Sequence, residues 1–331
     1  MMHDLPRNCW YPLFRSRDLT RRPARIERFG VMWVVYRDAE GTAVMAEDRC
    51  PHLGASLAGG HIRDGLLECP FHGFLFDSDG RLKKVPAMGR EARLPGKLCL
   101  KMLHTREDRG WIFGWWGDRS DSLPELPSFP DIDHRFVLSD ISVLSNVHVT
   151  RAIENQLDVA HLPFVHGRTI GSRRRPRIKG PFTEIVGEEI RVWAEAVADN
   201  DTPLEEPGNP AEQKGKGSPR LIYRFPCLWQ LRIHERMKLM VGFVPVNENK
   251  TLFMIRACHT VKMPFIGTIY GCFLSFMNRI ILREDLRVIE SIRPLSSMDA
   301  VTDQFMPADR AIIQFRKLWR SRVSVPHEER L

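Results

Sequence analysis

The chain has 331 residues, 43% of them hydrophobic and 27% charged. This is about two domains' worth of chain, with enough apolar material for two cores that need no disulfide or metal staples. The net charge of +8 suits an acidic protein partner, an anionic membrane or nucleic acid, but no recognised nucleic-acid motif accompanies it.

The seven cysteines, Cys9, Cys50, Cys69, Cys99, Cys227, Cys258 and Cys272, are odd in number and scattered. They argue against a disulfide framework. The N-terminal residues have no apolar signal-type segment, so the expected location is a reducing cytoplasm. The longest uncharged stretch, Met263 to Asn278, has 16 residues. That is short of the ~20 of a spanning helix, so it reads as a buried or pocket-lining helix, with shallow membrane contact as the minor reading.

From about 28 to 116 the chain reads as short strands between turns: Val31 to Tyr36, Thr42 to Ala46, Phe74 to Phe76 and Arg81 to Lys83 around an Asp-Ser-Asp-Gly turn, an alternating stretch from Leu98 to Met102, and Trp111 to Trp116. This spacing predicts a small antiparallel β domain. The Pro-rich stretch Leu123 to Pro130 reads as a connector, dividing the chain into domains at 1–125 and 126–331. The second part predicts strands over 139–149, 189–197, 220–235, 239–246 and 251–260, and helices over 151–161, 266–292 and 308–320. Together these make an α+β domain with a curved antiparallel sheet. Two segments read as loops: the basic run Arg173, Arg174, Arg175, Arg177 and Lys179, solvated or a docking patch for an acidic electron donor, and the polar 199–219.

Two constellations carry chemistry. The first is Cys50-Pro-His52-Leu-Gly, then Cys69-Pro-Phe-His72-Gly. Each half offers one thiolate and one imidazole from a tight loop. Structural zinc is one reading, but alternating ligand types within a β context suit a two-iron cluster, with two cysteines on one iron and two histidines on the other. These two loops resemble the signature of the Rieske family. The resemblance implies a [2Fe-2S] cluster held by Cys50, His52, Cys69 and His72. Leu53, Phe71 and Phe74 stand where that family often has Arg, Tyr and Trp.

The second constellation is Asn155-x-x-Asp158-x-x-His161-x-x-x-x-His166. Spacing by three puts Asn155, Asp158 and His161 on one helix face. Pro163 disfavours helix at Leu162, so the helix should end near His161 and let His166 swing back. Two imidazoles with a distant carboxylate make the facial triad of Fe(II) oxygen-activating sites, and two ordinary histidines at a helix end are the other reading.

The whole pattern resembles the mononuclear iron motif of Rieske oxygenases, and Trp10-Tyr11-Pro12 is also in a family position. The resemblance implies Fe(II) ligands at His161 and His166, and a bridging role for Asp158 in electron transfer, with Asn155 beside it. It also implies a third ligand at Asp285, with Glu284, Asp299 and Asp303 as alternatives. Glu284 and Glu290 otherwise read as solvated helix face. The implied architecture is an N-terminal all-β Rieske domain followed by a helix-grip-like catalytic domain.

No Gly-rich dinucleotide loop follows a strand, so electrons should come from a separate NAD(P)H-dependent reductase, directly or through a ferredoxin. Family members of this size imply a head-to-tail homotrimer acting on O2 and a small organic substrate. Phe225, Leu228, Phe243, Phe273 and Phe276 suggest a hydrophobic guest, or plain core packing. A pure electron carrier and a zinc-bound scaffold are the readings from other classes.

Overall fold

The structure, a computed structural model, describes residues 2, 4–89, 94–118, 120, 122–199, 218–263 and 265–323. Contacts divide the chain into two units at Leu126/Pro127, with residues 4–7 joining the second.

The first unit is all antiparallel β, in three small sheets. Strands β1 (Cys9–Arg15), β10 (Trp111–Trp116) and β9 (Thr105–Asp108) form one, in that order. β2 (Ala24–Arg28), β3 (Val31–Arg37) and β4 (Ala43–Glu47) form the second. β5 (His61–Arg63), β6 (Leu66–Glu68), β7 (Leu75–Phe76) and β8 (Leu82–Lys84) form the third. β10 is aromatic and buried along its whole length. The expected strand over 98–102 is reduced to isolated bridges at Cys99 and Met102, because Leu100 turns into the core without a continuous partner. One core cluster joins Val34, Tyr36, Val44, Phe74, Phe76 and Leu100, and it contains Cys50 and Cys69.

The second unit is built on a seven-stranded antiparallel sheet in the order β11-β17-β16-β15-β14-β13-β12. Its strands are β11 (Val137–Ser145), β12 (Arg177–Val186), β13 (Glu189–Val197), β14 (Leu221–Arg224), β15 (Leu228–His234), β16 (Met237–Asn247) and β17 (Lys250–His259). β12 to β17 run as a meander, and β11 closes against the last strand, with Asp140 and Arg256 paired across the register at 2.7 and 2.9 Å. Between β11 and β12 the chain inserts α1 (Val149–Leu157) and the short α2 (Leu162–Val165). After β17 come α3 (Ile266–Ile289) and α4 (Arg310–Arg322). α1 packs on β16, β17, α3 and α4; α3 covers β11 and β17; α4 lies on β12 and β13.

Several expectations are corrected. β12 was not foreseen, because the Lys-Gly-Pro sequence at 179–181 breaks its pattern and the register shifts between Lys179 and Phe182. As a consequence Arg177 and Lys179 belong to this strand, and the loop reading of the basic run holds only for 173–175. The single expected strand over 220–235 is two, parted by a turn at Pro226 whose carbonyl accepts from Tyr223 Oη at 2.5 Å. Residues 200–217 of the polar loop lie outside the described residues. The stretch 263–278 is not a wholly buried helix. Gly267, Gly271 and Leu274 face inward, while Phe273 and Phe276 are exposed, because the sheet covers one stripe of α3 only. Phe225, Leu228 and Phe243 are core. No helix among the described residues is long and apolar enough to cross a membrane.

Candidate metal centres

In the first unit, the two Cys-Pro loops are copies of one backbone device. The amide of Cys50 donates to Ala55 O at 2.8 Å, and that of Cys69 to Phe74 O at 2.8 Å. The carbonyl of each cysteine then accepts from a glycine four residues on, Gly54 at 2.9 Å and Gly73 at 3.0 Å. Both glycines hold positive φ, 79° and 68°, a region costly for residues with a Cβ. Asp48, its side chain fully buried, secures the first loop by accepting from Ser56 Oγ at 2.7 Å and from the amide of Ala58 at 2.8 Å, beside Arg25 at 3.0 Å.

The loops sort their ligands by depth. Cys50 and Cys69 are buried, while His52 and His72 are exposed at the tip, with ring centroids 4.9 Å apart. His52 stacks on Phe74 at 4.7 Å and 11°, and His72 lies against Phe71 at 3.9 Å, so the aromatic residues that depart from the family pattern still brace the imidazoles. Burial pushes the Cys50 thiol up to about 11, although backbone amides of His52 and Leu53 favour its thiolate. A buried thiol held neutral in this way becomes a thiolate when a metal binds it. Two inner thiolates and two outer imidazoles fit a two-iron cluster.

The second centre lies in the second unit. His148 caps α1, its Nδ1 accepting from the Thr150 amide at 3.3 Å. The helix stops at Leu157. Asp158 is its C-cap in an extended conformation, with its Oδ1 accepting from the amides of Ala160 at 2.7 Å and His161 at 3.3 Å. The helix therefore ends four residues before the expected His161, because the Asp158 side chain takes the Ala160 and His161 amides that a continuing helix would pair with main-chain carbonyls. His161 instead opens α2, with Pro163 in its first turn, a position where proline's missing N–H costs nothing. His166 ends that turn.

Opposite, the inward stripe of α3 carries Leu282, Asp285 and Ile289. It delivers Asp285 Oδ1 to within 3.0 Å of His166 Nε2 and 3.5 Å of His161 Nε2. The imidazoles are T-shaped at 5.2 Å. Among the described residues, His161, His166 and Asp285 alone form a group of three or more His, Cys, Asp or Glu residues whose donor atoms all lie within 4.8 Å of one another.

Electrostatics agree with a cation site. Burial by itself would raise Asp285, but His161 and His166, with the Asn155 amide, pull it down to about 2. Burial would lower His161, but Asp158 and Asp285 raise it to about 9. Asp285 Oδ1 is nevertheless buried without a well-formed hydrogen bond, as expected of an atom directed at an ion. Two imidazole nitrogens and one carboxylate fit a facial triad, which leaves positions open for O2 and substrate.

Asp158 stands behind His161, its Oδ2 at 3.6 Å from Nδ1, an ion-pair contact rather than a formed hydrogen bond. The expected solvated position of Glu284 is corrected. Its Oε2 takes His166 Nδ1 at 2.8 Å and Thr169 Oγ1 at 2.7 Å. Glu284 is also no alternative third ligand, since it meets the far nitrogen of His166. Asp303 is engaged by Arg151 and Arg316, and Asp299 is exposed in a turn. Gln156, whose amide reaches Asp285 Oδ2 at 3.5 Å, was not foreseen; its place inside the Asn155–Asp158 motif was the available signal.

The Rieske [2Fe-2S] domain family matches residues 9–104, and the vanillate O-demethylase oxygenase C-terminal domain family matches residues 145–324. The chain belongs to the vanillate O-demethylase-like Rieske oxygenases. Its cofactors as a member of this family are a [2Fe-2S] cluster and a mononuclear iron. It is 27% identical over 319 residues to Protein TIC 55, chloroplastic, of Arabidopsis thaliana, covering 88% of this chain and 57% of that protein. It is 33% identical over 170 residues to aminopyrrolnitrin oxygenase PrnD of Pseudomonas fluorescens, covering 49% and 47%. The chain thus spans about half the length of the curated relatives it matches. The crystal structure of dicamba monooxygenase bound to dicamba superposes with a TM-score of 0.76 at 19% identity, covering 95% and 98% of the two chains, a likeness of fold.

Proposed function

We propose that this protein is an oxygenase component that receives electrons from a separate NAD(P)H-dependent reductase, directly or through a ferredoxin, and uses them with O2 to hydroxylate or demethylate a hydrophobic, aromatic or cyclic substrate. In this reading Cys50 and Cys69 hold one iron of the cluster, His52 and His72 the other, and His161, His166 and Asp285 hold the mononuclear iron. When bound, the cluster stores single electrons and the Fe(II) offers open positions for O2 chemistry. The observation that carries the reading is the convergence of three ligand atoms, from His161, His166 and Asp285, on one point, in a chain that also holds the two Cys-Pro-His loops.

The protein's own groups do the positioning. Glu284 accepts from His166 Nδ1, which fixes the tautomer that leaves Nε2 bare for a metal. Asp158 favours a proton on the far nitrogen of His161 in the same way, and 29% of its side chain remains exposed. That exposure supports the role given to Asp158, a relay toward the cluster of a neighbouring chain. Such a relay requires an assembly, and a head-to-tail homotrimer, a closed ring of heterologous contacts, supplies it. The exposed edges of His52 and His72, flanked by Leu53 and Phe71, are the surface an electron donor would meet. His166 and Asp285 are buried while 13% of the His161 side chain is accessible, so substrate and O2 would approach past His161.

Relatives named for aminopyrrolnitrin and dicamba support a cyclic, largely apolar guest, and a cytoplasmic setting fits the free thiols. The test is product analysis with a generic reductase, NADH and a panel of aromatic and heterocyclic compounds. Product should depend on O2 and NADH and vanish in His161→Ala, while the reductase still reduces the variant's cluster. Cluster reduction without product from any compound in the parent protein would leave an electron carrier instead.

A further inference from the structure

The outer face of α3 has no role in the metal site and changes character along its length. Its N-terminal half is apolar and exposed: Phe265 at the helix start is 84% accessible, Ile269 68%, Phe273 55% and Phe276 61%. Phe265 holds φ 63°, a sparsely populated conformation for a bulky residue, and presents its ring outward. In the C-terminal half the exposed positions are Arg279, Arg283, Arg287 and Val288. No Asp or Glu occurs anywhere between Glu248 and Glu284. The opposite face of the helix is committed to β11 and β17 through Gly267, Gly271 and Leu274, so this stripe is not spare core.

We propose that this face is a docking surface for an anionic lipid membrane. The apolar half of α3, about 18 Å long, would lie in the plane of the interface, its rings reaching about 5–10 Å into the headgroup and acyl boundary. The arginines one to three turns further on would meet lipid phosphates, their apolar stems running along the same surface. The charge pattern selects this occupant. Exposed apolar side chains followed on the same face by Arg279, Arg283 and Arg287 match an anionic bilayer, which offers both apolar depth and negative charge. The interaction is peripheral, in accord with the absence of any spanning helix among the described residues, and corresponds to the minor reading of this stretch in the sequence. It does not depend on the metal ligands.

The experiment uses the full chain with its cluster, sedimented with vesicles of phosphatidylcholine alone or with about 30% phosphatidylglycerol. The parent protein should pellet with the anionic vesicles and be released as salt rises to about 0.5 M, where the Debye length shortens to a few ångströms. The pair Ile269→Asp and Phe273→Asp should weaken binding about ten-fold or more. The pair Arg279→Gln and Arg287→Gln should weaken it about five-fold per arginine on anionic vesicles only. Sedimentation velocity without lipid should give the same assembly for all three proteins. Failure of the parent protein to bind anionic vesicles, or undiminished binding by the aspartate pair, would overturn the proposal. So would dissociation of the assembly by that pair, which would assign the face to a second copy of the chain.

Discussion

His166 is gripped on both sides, its Nε2 3.0 Å from Asp285 and its Nδ1 2.8 Å from Glu284. The second contact decides how the first can be used. With a carboxylate at Nδ1, the proton stays on that side and Nε2 keeps its lone pair for a metal. Replacing Glu284 by Gln preserves the shape and removes the charge. Fe(II) or Co(II) affinity measured by titration should fall about 10- to 100-fold, with the visible spectrum of the cluster unchanged; parent-like affinity would reduce Glu284 to a packing residue.

A second residue-level outcome concerns Asp131. Burial would raise its pKa, but hydrogen bonds from Lys238 at 2.6 Å and Gln230 at 2.9 Å prevail and lower it. A carboxyl whose folded value lies below its unfolded value of about 4 stabilises the fold above that pH and ceases to do so as pH falls through the lower, folded value. Melting temperature should therefore drop below about pH 4, and Asp131→Asn should flatten that drop; equal slopes in the two proteins would contradict the pairing.

At the scale of elements, the ligand loop after α1 depends on how that helix is anchored. Arg316 of α4 meets Glu154 of α1 at 2.5 Å and Asp303 at 2.6 Å, while Arg151 spans the same two carboxylates at 3.1 and 3.2 Å. Arg151, Glu154 and Arg316 are buried, so removing one charge strands the others. Arg316→Ala should cost about 3–5 kcal/mol in a denaturant melt, far above the ~0–1 kcal/mol of a surface pair. It should also lower occupancy of the mononuclear site, because α1 leads directly into Asp158 and His161.

This layer was only partly legible in the sequence. Ligands within one short loop, such as Cys50 and His52, or along one motif, such as Asp158 and His161, are fixed by local spacing and could be read directly. Asp285 was reached through the family resemblance, as one of an acidic pair after an apolar helical segment. Its neighbour Glu284 was not, because which of two adjacent acids turns inward, and what the other meets, depends on the rotation of α3 against β11 and β17. The end of α1 at Leu157 depends on one side chain competing for amides, and β12 on tolerating a bulge at Lys179. Tertiary context decides both.

At the scale of the molecule, two kinds of candidate metal site occur on one polypeptide. One places its thiols in an apolar core and its imidazoles at the surface. The other brings two imidazoles and a carboxylate together between a broken helix and a long one. This division of labour requires that the two sites load independently. Iron and acid-labile sulfide, measured on anaerobically prepared protein, test it most directly. The parent chain should hold about three irons and two sulfides, and His161→Ala about two of each. Zinc in place of iron, or three irons retained by His161→Ala, would contradict the presence of a separate mononuclear centre at His161, His166 and Asp285.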